Sequence, residues 1–378
     1  MSSPLHPATG DRPGDRPTVA RTRHTGAEPR VLLMSSNGAG MGHLTRLLAY
    51  GLRLGEGVDR YVLSMSQAVP VVAQYGYRYE YLPSGGALGM VASTWRPLFR
   101  ERLIETIGRV APSVVVFDGT HPYAGIDAAM AAHPGVRWVW SRRGMWKPGP
   151  NDDQVVKSEW FDEVIEPGDL AAPCDRGVTS TAAAHRVGPV TLCDLAEGLP
   201  RDEARAALGL PPTGAIGLVS LGAGNINDTS GDVGAAAAGL RAAGCAVAVT
   251  QVEIAAAGAS AGVLPVRAYP LARYYAAFDV VIAATGYNSF HELMRMAVPT
   301  LFVPNLATAV DDQEARARYA ADQGWALTLS TLTPEAVAAA VTILLADGPA
   351  MARRAAAADP GNGAMAAATR LRELAGLS

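Results

Sequence analysis

The chain alternates short apolar runs with helix-spaced stretches, and most of the runs end in glycine or another small residue. "RVLLMSS" (30–36) stops at a Gly-rich turn, and "HLTRLLAYGLRL" follows with helical spacing. "DRYVLSMS", "SVVVFDG" (113–119) and "VRWVWSRR" (136–143) repeat the strand pattern with helical stretches between them. Runs that are apolar throughout, rather than at every second residue, suit strands covered on both faces. Short buried strands alternating with helices predict β-α-β units and a parallel sheet.

The pattern occurs twice. It loosens over 187–212, "VGPVTLCDLAEGLPRDEARAALGLPP", a connector bounded by Pro and Gly, and then restarts. "AIGLVSLG" (215–222), "CAVAVTQV", "VLPVRAYP", "DVVIAAT" (279–285), "PTLFVP" (299–304) and "WALTLS" are the strands of the second half. With 378 residues the chain exceeds what one core usually holds. The expected division is a disordered tail over 1–29, Rossmann-like domains over 30–190 and 213–350, a linker over 191–212, and C-terminal helices over 351–378. The tail is rich in Pro, Gly and charge and has no apolar signal-peptide core.

Charge and cysteine usage narrow the function. A formal net charge of −3 gives no basic footprint for a nucleic acid. Cys174, Cys193 and Cys245 lie far apart with no C-x-x-C, and read as reduced thiols of a cytoplasmic protein. No apolar run approaches the roughly 18 residues of a membrane span.

In open parallel sheets, ligands bind beyond the carboxyl ends of the strands, so the loops after strands carry the candidates. The first, "SSNGAGMGHLTR" (35–46), offers Gly40 and Gly42 for close backbone approach and His43 in the first helical turn. It has neither the lysine of a Walker loop nor the spacing of a dinucleotide fingerprint. The second ends a strand on Asp118, with His121 three residues on; an acid there can orient a histidine or accept a proton. An Asx-turn or a helix cap is the alternative for Asp118.

The third, "SLGAGNIND" (220–228), presents Gly222, Gly224 and Asn225, whose backbone N–H groups suit phosphate oxygens. The fourth, "ATGYNSFHELMRMAVPTLFVPN" (284–305), starts a helix at Thr285, Gly286, Asn288 and Ser289, where free N–H groups favour an anion. Glu292 is placed to accept both hydroxyls of a ribose, or to close a capping box with Ser289. One loop further, Asp312 and Gln313 suit a polyol, with helix-end charge matching as the alternative.

Two other segments carry charge. "SRRGMWKPGP" (141–150) interleaves Arg142, Arg143 and Lys147 with Trp146; it reads as a solvated basic loop or as a contact for a phosphate or planar acceptor. In "WRPLFRERLIETIGRV" (95–110), Leu98, Phe99, Leu103 and Ile107 fall near one face beside arginines. That helix covers the sheet, or alternatively makes weak peripheral contact with an anionic membrane surface.

"GYNSFHELMRMAVPTLFVP" followed by "DDQEARARYAADQG" resembles the donor-binding signature of GT-B glycosyltransferases, most closely the family of the peptidoglycan lipid II N-acetylglucosaminyltransferase and related UDP-glycosyltransferases. Gly286, Asn288, Ser289, Glu292, Val298, Pro299, Pro304, Asp312 and Gln313 fill the signature in order. Ala284 stands where the plant-type signature has histidine, Ala297 replaces a usual glycine, and the loop from Pro304 to Asp312 is longer.

The resemblance implies two Rossmann-like, doubly wound α/β domains facing a central cleft, the first for the acceptor and the second for the nucleotide sugar. It implies that Glu292 holds the ribose, that Asp312 and Gln313 read the sugar, and that the base lies against the backbone at Ala268. "NGAGMGH" and "LGAGN" look like the family's N-terminal and phosphate loops. The expected activity is inverting transfer from a UDP- or dTDP-sugar, with no metal and no cofactor. The acceptor is a hydroxyl of a lipid-linked saccharide or a secondary metabolite, and the location is cytoplasmic or at the inner face of the membrane. His43, His121 or Asp118 is the base. A nucleotide-sugar hydrolase or epimerase, or a non-catalytic sugar-nucleotide-binding partner protein, would use the same fold.

Overall fold

A computed structural model gives the architecture and describes residues 28–36, 41–149, 151–222, 230–251 and 262–377. The first sheet has seven strands: β1 (Arg30–Ser35), β2 (Asp59–Ser64), β3 (Arg78–Tyr81), β4 (Val114–Asp118), β5 (Arg137–Ser141), β6 (Glu163–Pro167) and β7 (His185–Val187). All pairings are parallel, in the order β3-β2-β1-β4-β5-β6-β7. The helices of this half are α1 (Gly42–Arg53), α2 (Ala92–Val110) and α3 (Ile126–Ala132). In β1 the residues Val31, Leu32, Leu33 and Met34 are all buried, because helices cover both faces of the sheet. Leu44, Leu47, Leu48 and Tyr50 of α1 pack on one face, and Gly51 permits close approach: a Cβ there would stand 2.9 Å from Leu33 Cδ1.

The second sheet has six parallel strands: β8 (Ile216–Ser220), β9 (Ala246–Thr250), β10 (Val263–Val266), β11 (Val280–Ala283), β12 (Thr300–Phe302) and β13 (Leu327–Thr328), ordered β10-β9-β8-β11-β12-β13. Its half contains α4 (Arg201–Ala207), α5 (Ser230–Ala242), α6 (Tyr287–Arg295), α7 (Gln313–Asp322) and α8 (Pro334–Ala358). The chain ends in α9 (Ala364–Leu374), which crosses back: its Ala364, Ala367, Ala368 and Leu371 share a core with α1. The segment expected as separate helices from residue 351 therefore divides between α8, on the second domain, and α9, on the first.

Two expectations need correction. Among the described residues α8 is long and apolar enough to cross a membrane by length and composition. Its stripe Val337, Val341, Leu344 and Met351 packs into the second core with α5 and β12, which accounts for the apolar residues on that side. In α2 the covering face is Trp95, Phe99, Leu103 and Ile107, whereas Leu98 points outward at 53% exposure.

Candidate active site

Strand order reverses between β1 and β4 in the first sheet and between β8 and β11 in the second. Each reversal opens a crevice at the carboxyl ends of the strands, since the loops there leave toward opposite faces. His43 enters the first crevice from α1, and Asp118 closes β4 beside it. Thr285 and Gly286 lead from β11 into α6 at the second. The two crevices meet: Asn288 Nδ2 donates to Gly42 O at 3.3 Å, so the start of α6 rests on the start of α1.

The imidazole of His43 lies with Nδ1 2.6 Å from Asp118 Oδ1. A carboxylate only accepts, so Nδ1 carries the proton and Nε2 keeps its lone pair. Asp118 is fully buried and also accepts from Arg46 Nε (3.0 Å), from Arg46 Nη2 and from Ser141 Oγ (2.7 Å). Tyr50 OH lies 3.0 Å from Ser141 Oγ and extends the chain of polar groups. Burial acts to raise the Asp118 pKa, but Arg46 and His43 outweigh it and hold the carboxyl at about 2. Burial lowers the pKa of His43; Asp118 opposes the shift, while Arg46 and Arg143 add to it. The result is a neutral, oriented imidazole.

His121 is elsewhere. Its ring meets the edge of Tyr123 with centroids 6.2 Å apart, and burial followed by Lys157 lowers its pKa. No hydrogen bond joins it to His43 or Asp118, and its Nδ1 is buried without a partner among the described residues. Asp118 forms neither an Asx-turn nor a helix cap; it ends a strand and receives the four bonds above.

The second crevice presents the start of α6, capped by Gly286 with no side-chain hydrogen bond. A capping box of Ser289 with Glu292 is therefore absent: Ser289 lies inside the first turn, and Glu292 further along. Glu292 is buried, no described side chain bonds its carboxyl, and desolvation, only partly offset by Arg295, pushes its pKa up to about 8. Thr285 Oγ1 is fully buried and unpartnered among the described residues, a hydroxyl lacking its acceptor or donor. Asn288, by contrast, is engaged on both sides of its amide, by Gly42 O and by Arg46 Nη1 at 3.4 Å.

Asp312 caps α7 through Ala315 N at 3.0 Å, and Gln313 Oε1 accepts from Asn305 N at 3.0 Å. The Gln313 amide nitrogen comes within 3.9 Å of where a Cβ on Gly286 would stand, so the pair lies beside the α6 terminus. Gly42 is the first residue of α1, Gly222 follows β8 at φ +94°, and Ala268 follows β10 beside the exposed Arg267. Gly40, Gly224 and Asn225 lie outside the described residues.

The basic segment at 141–150 is not a solvated loop. Arg142 is fully buried against Glu166 and Ser158, Trp146 packs edge-on to Trp140, and Arg143 pairs with Asp311 across the cleft at 2.8 Å. Sequence reasoning also missed Arg46, Ser141, Asp169 and Arg316. Arg316 is fully buried, donating to Asp169 Oδ2 (3.0 Å), Asp311 Oδ1 (3.1 Å) and Thr285 O (2.8 Å). Only Arg46 had a visible signal, its place three residues after His43 on the same helix face.

The family described as glycosyltransferase family 28 C-terminal domain matches residues 250–371. The chain has the two-domain GT-B fold, and its second half matches a glycosyltransferase family domain. Among solved structures it is similar to MurG of Acinetobacter baumannii, at 17% identity over 91% of this chain and 99% of that one, with a TM-score of 0.61. The glycotransferase of kitacinnamycin is similar at 16% identity, over 92% and 99%, with a TM-score of 0.65. The glycosyltransferase VinC, solved in complex with dTDP, is similar at 17% identity, over 92% and 99%, with a TM-score of 0.62. No curated protein matches the sequence. At such identities the structural likenesses establish the shared two-domain fold, and the family match places the glycosyltransferase domain in the second half.

Proposed function

We propose that this chain is a glycosyltransferase that inverts the anomeric centre, works without a metal, and moves a sugar from a UDP- or dTDP-sugar to an acceptor hydroxyl. The observation that carries the reading is the His43–Asp118 pair, placed where the two crevices meet. His43 Nε2 takes the proton of the acceptor hydroxyl as its oxygen attacks the anomeric carbon. The bond from that carbon to the diphosphate breaks on the opposite side, and the diphosphate leaves with the electron pair. A base so placed contributes about 10²–10⁴-fold.

The leaving diphosphate meets the N-terminus of α6 and the unpartnered Thr285 hydroxyl, fixed dipoles that stabilise a developing anion. Glu292 binds the ribose, and Asp312 and Gln313 read the sugar. The acceptor, a lipid-linked saccharide or a secondary metabolite, occupies the first domain. A cytoplasmic location, with weak peripheral membrane contact through the α2 region, belongs to the same proposal.

Thermal unfolding with UDP, dTDP, GDP, ADP and NAD in turn tests the donor site. A ligand at about 100 times its Kd adds roughly 2.7 kcal/mol of stability. Selective stabilisation by UDP or dTDP is the expected result. A response to NAD alone, or to none of the five, removes the reading. Free sugar released from UDP- or dTDP-sugars without any acceptor would point to a hydrolase.

A further inference from the structure

The dyad contains a third charged member. Arg46 lies one turn after His43 on α1 and is 3% exposed. Its guanidinium grips both oxygens of Asp118, Nε to Oδ2 at 3.0 Å and Nη2 to Oδ1. Its remaining arm, Nη1, reaches Asn288 Oδ1 at 3.4 Å, and the guanidinium carbon sits 5.2 Å from the centre of the Tyr287 ring. One side chain therefore touches the base, its orienting carboxylate and the first two residues of α6.

We propose that Arg46 is a positioning residue: it fixes the carboxylate that orients His43, shares that carboxylate's charge, and ties the pair to α6 through Asn288. The proposal rests on the role given to His43 above.

A lone buried carboxylate beside an imidazole favours the imidazolium and so holds the histidine charged. Here the carboxylate is already matched by a guanidinium in a two-point fork, the arrangement that binds carboxylate most firmly. Arg46 Nη2 also stands 3.0 Å from His43 Nδ1. Both atoms are donors once Nδ1–H points at Asp118, so the approach is repulsive toward a second proton on the ring. The charged groups facing His43 are Asp118 from β4, Arg46 from α1 itself and Arg143 from the loop after β5; α6 presents the uncharged Asn288 and Tyr287. Burial and the two arginines outweigh the one carboxylate, so the ring stays neutral and able to accept a proton. The same fork stops Asp118 from rotating away from His43.

The test reads His43 directly. Imidazole NMR titrations are recorded on the parent and on Arg46→Gln, with the His43 signal assigned by its absence in His43→Asn. The parent midpoint is expected below the ordinary value of about 6.5. In Arg46→Gln it should rise by about one pH unit, and the acid limb of kcat/KM should move the same way. Arg46→Lys keeps the charge without the fork, so its midpoint should stay near the parent while kcat falls. An unmoved His43 midpoint in folded Arg46→Gln overturns the proposal.

Should Arg46→Gln fail to fold by circular dichroism, Asp118→Asn is compared with the double variant Asp118→Asn/Arg46→Gln. A higher midpoint in the double variant supports the proposal, and equal midpoints overturn it. The titration does not depend on turnover, so a moved midpoint in a protein that transfers no sugar would remove the proposed function and leave the charge relation standing.

Discussion

Trp146 and Asp311, one from each domain, pair as an antiparallel bridge across the cleft. The pairing extends on both sides: Lys147 N donates to Val310 O at 2.7 Å, and Asp312 N donates to Met145 O at 2.9 Å. Arg143 adds its ion pair to Asp311, and Lys147 Nζ reaches the carbonyls of Leu306 and Thr308. The loop that delivers Asp312 and Gln313 is thus positioned by backbone of the opposite domain. If Asp312 and Gln313 read the sugar as proposed, domain opening and sugar reading are mechanically linked, because these bonds must break when the two sheets move apart.

Gly177 backs that bridge, and substituting it tests the link. A Cβ at Gly177 would fall 1.9 Å from the carbonyl oxygen of Trp146 and 2.8 Å from its carbonyl carbon, so the backbone at Trp146 must shift. Overpacking of this kind costs about 1–3 kcal/mol. Gly177→Ala is expected to lower the unfolding midpoint and to raise the KM for the donor several-fold, because Asp312 moves with its partner. A change in stability with an unaltered donor KM would show that the bridge does not set the sugar site.

His43→Ala separates chemistry from binding. The side chain hydrogen-bonds to Asp118 and Arg46 and to no described residue of α6, so nucleotide affinity is expected to survive. The loss belongs to kcat, by about 10²–10⁴-fold. Turnover equal to the parent would take His43 out of the base role.

Glu292 carries a pH signature. Its folded pKa of about 8 lies above the ordinary glutamate value of 4.5, so between those values the folded state binds a proton that the unfolded state has released. Stability contributed by this group is complete below pH 4.5 and is lost as pH rises through 8. Glu292→Gln removes the penalty, and is expected to raise the unfolding midpoint at pH 8 by an amount equivalent to at least ~1 kcal/mol, with little change near pH 4. The same variant should weaken nucleotide binding, since one acceptor for the ribose hydroxyls is replaced by a poorer one. Equal midpoints at pH 8 would mean that the carboxyl is solvated in the folded protein.

Much of this fold was legible because its strands are covered on both faces. β1, β4 and β11 are runs of Val, Leu and Ile that admit few other readings. β6 was not legible: it carries Glu163 and Glu166, and those acids are tolerated only because Arg370 takes one and Arg142 and Arg186 take the other. β3, "RYEY", is an exposed edge strand, and β7 has three residues, too short for any periodicity. The site divides in the same way. His43, Asp118 and Glu292 stand just after strands or near the start of a helix, where position alone draws notice. Arg46, Arg316 and Asp169 have ordinary sequence surroundings, and their burial depends on partners that sequence separates by 70 to 150 positions.

The junction behind α6 offers the plainest stability test. Arg295, at the end of α6, donates Nε to Asp359 Oδ2 at 2.7 Å and Nη2 to Oδ1 at 2.9 Å, while Nη1 bonds Thr191 Oγ1 at 2.9 Å. Asp359 follows α8 at the point where the chain turns back toward the first domain, and Thr191 lies in the connector between the domains, so one guanidinium joins three segments. Both members of the ion pair are nearly buried, at 3% and 8% side-chain exposure. Removing one partner leaves a buried charge uncompensated and costs about 3–5 kcal/mol, whereas replacing both with apolar residues of similar volume is close to neutral. Arg295→Ala is therefore expected to be strongly destabilised in urea, and Arg295→Met with Asp359→Leu much less so. Calorimetry at several pH values separates this from the Glu292 effect, because Arg295 is also the cation that partly offsets the burial of Glu292. In Arg295→Met that offset is gone, and the alkaline loss of stability assigned to Glu292 should deepen. If the pH dependence is unchanged, the two groups are not coupled, and the Glu292 carboxyl answers to desolvation alone.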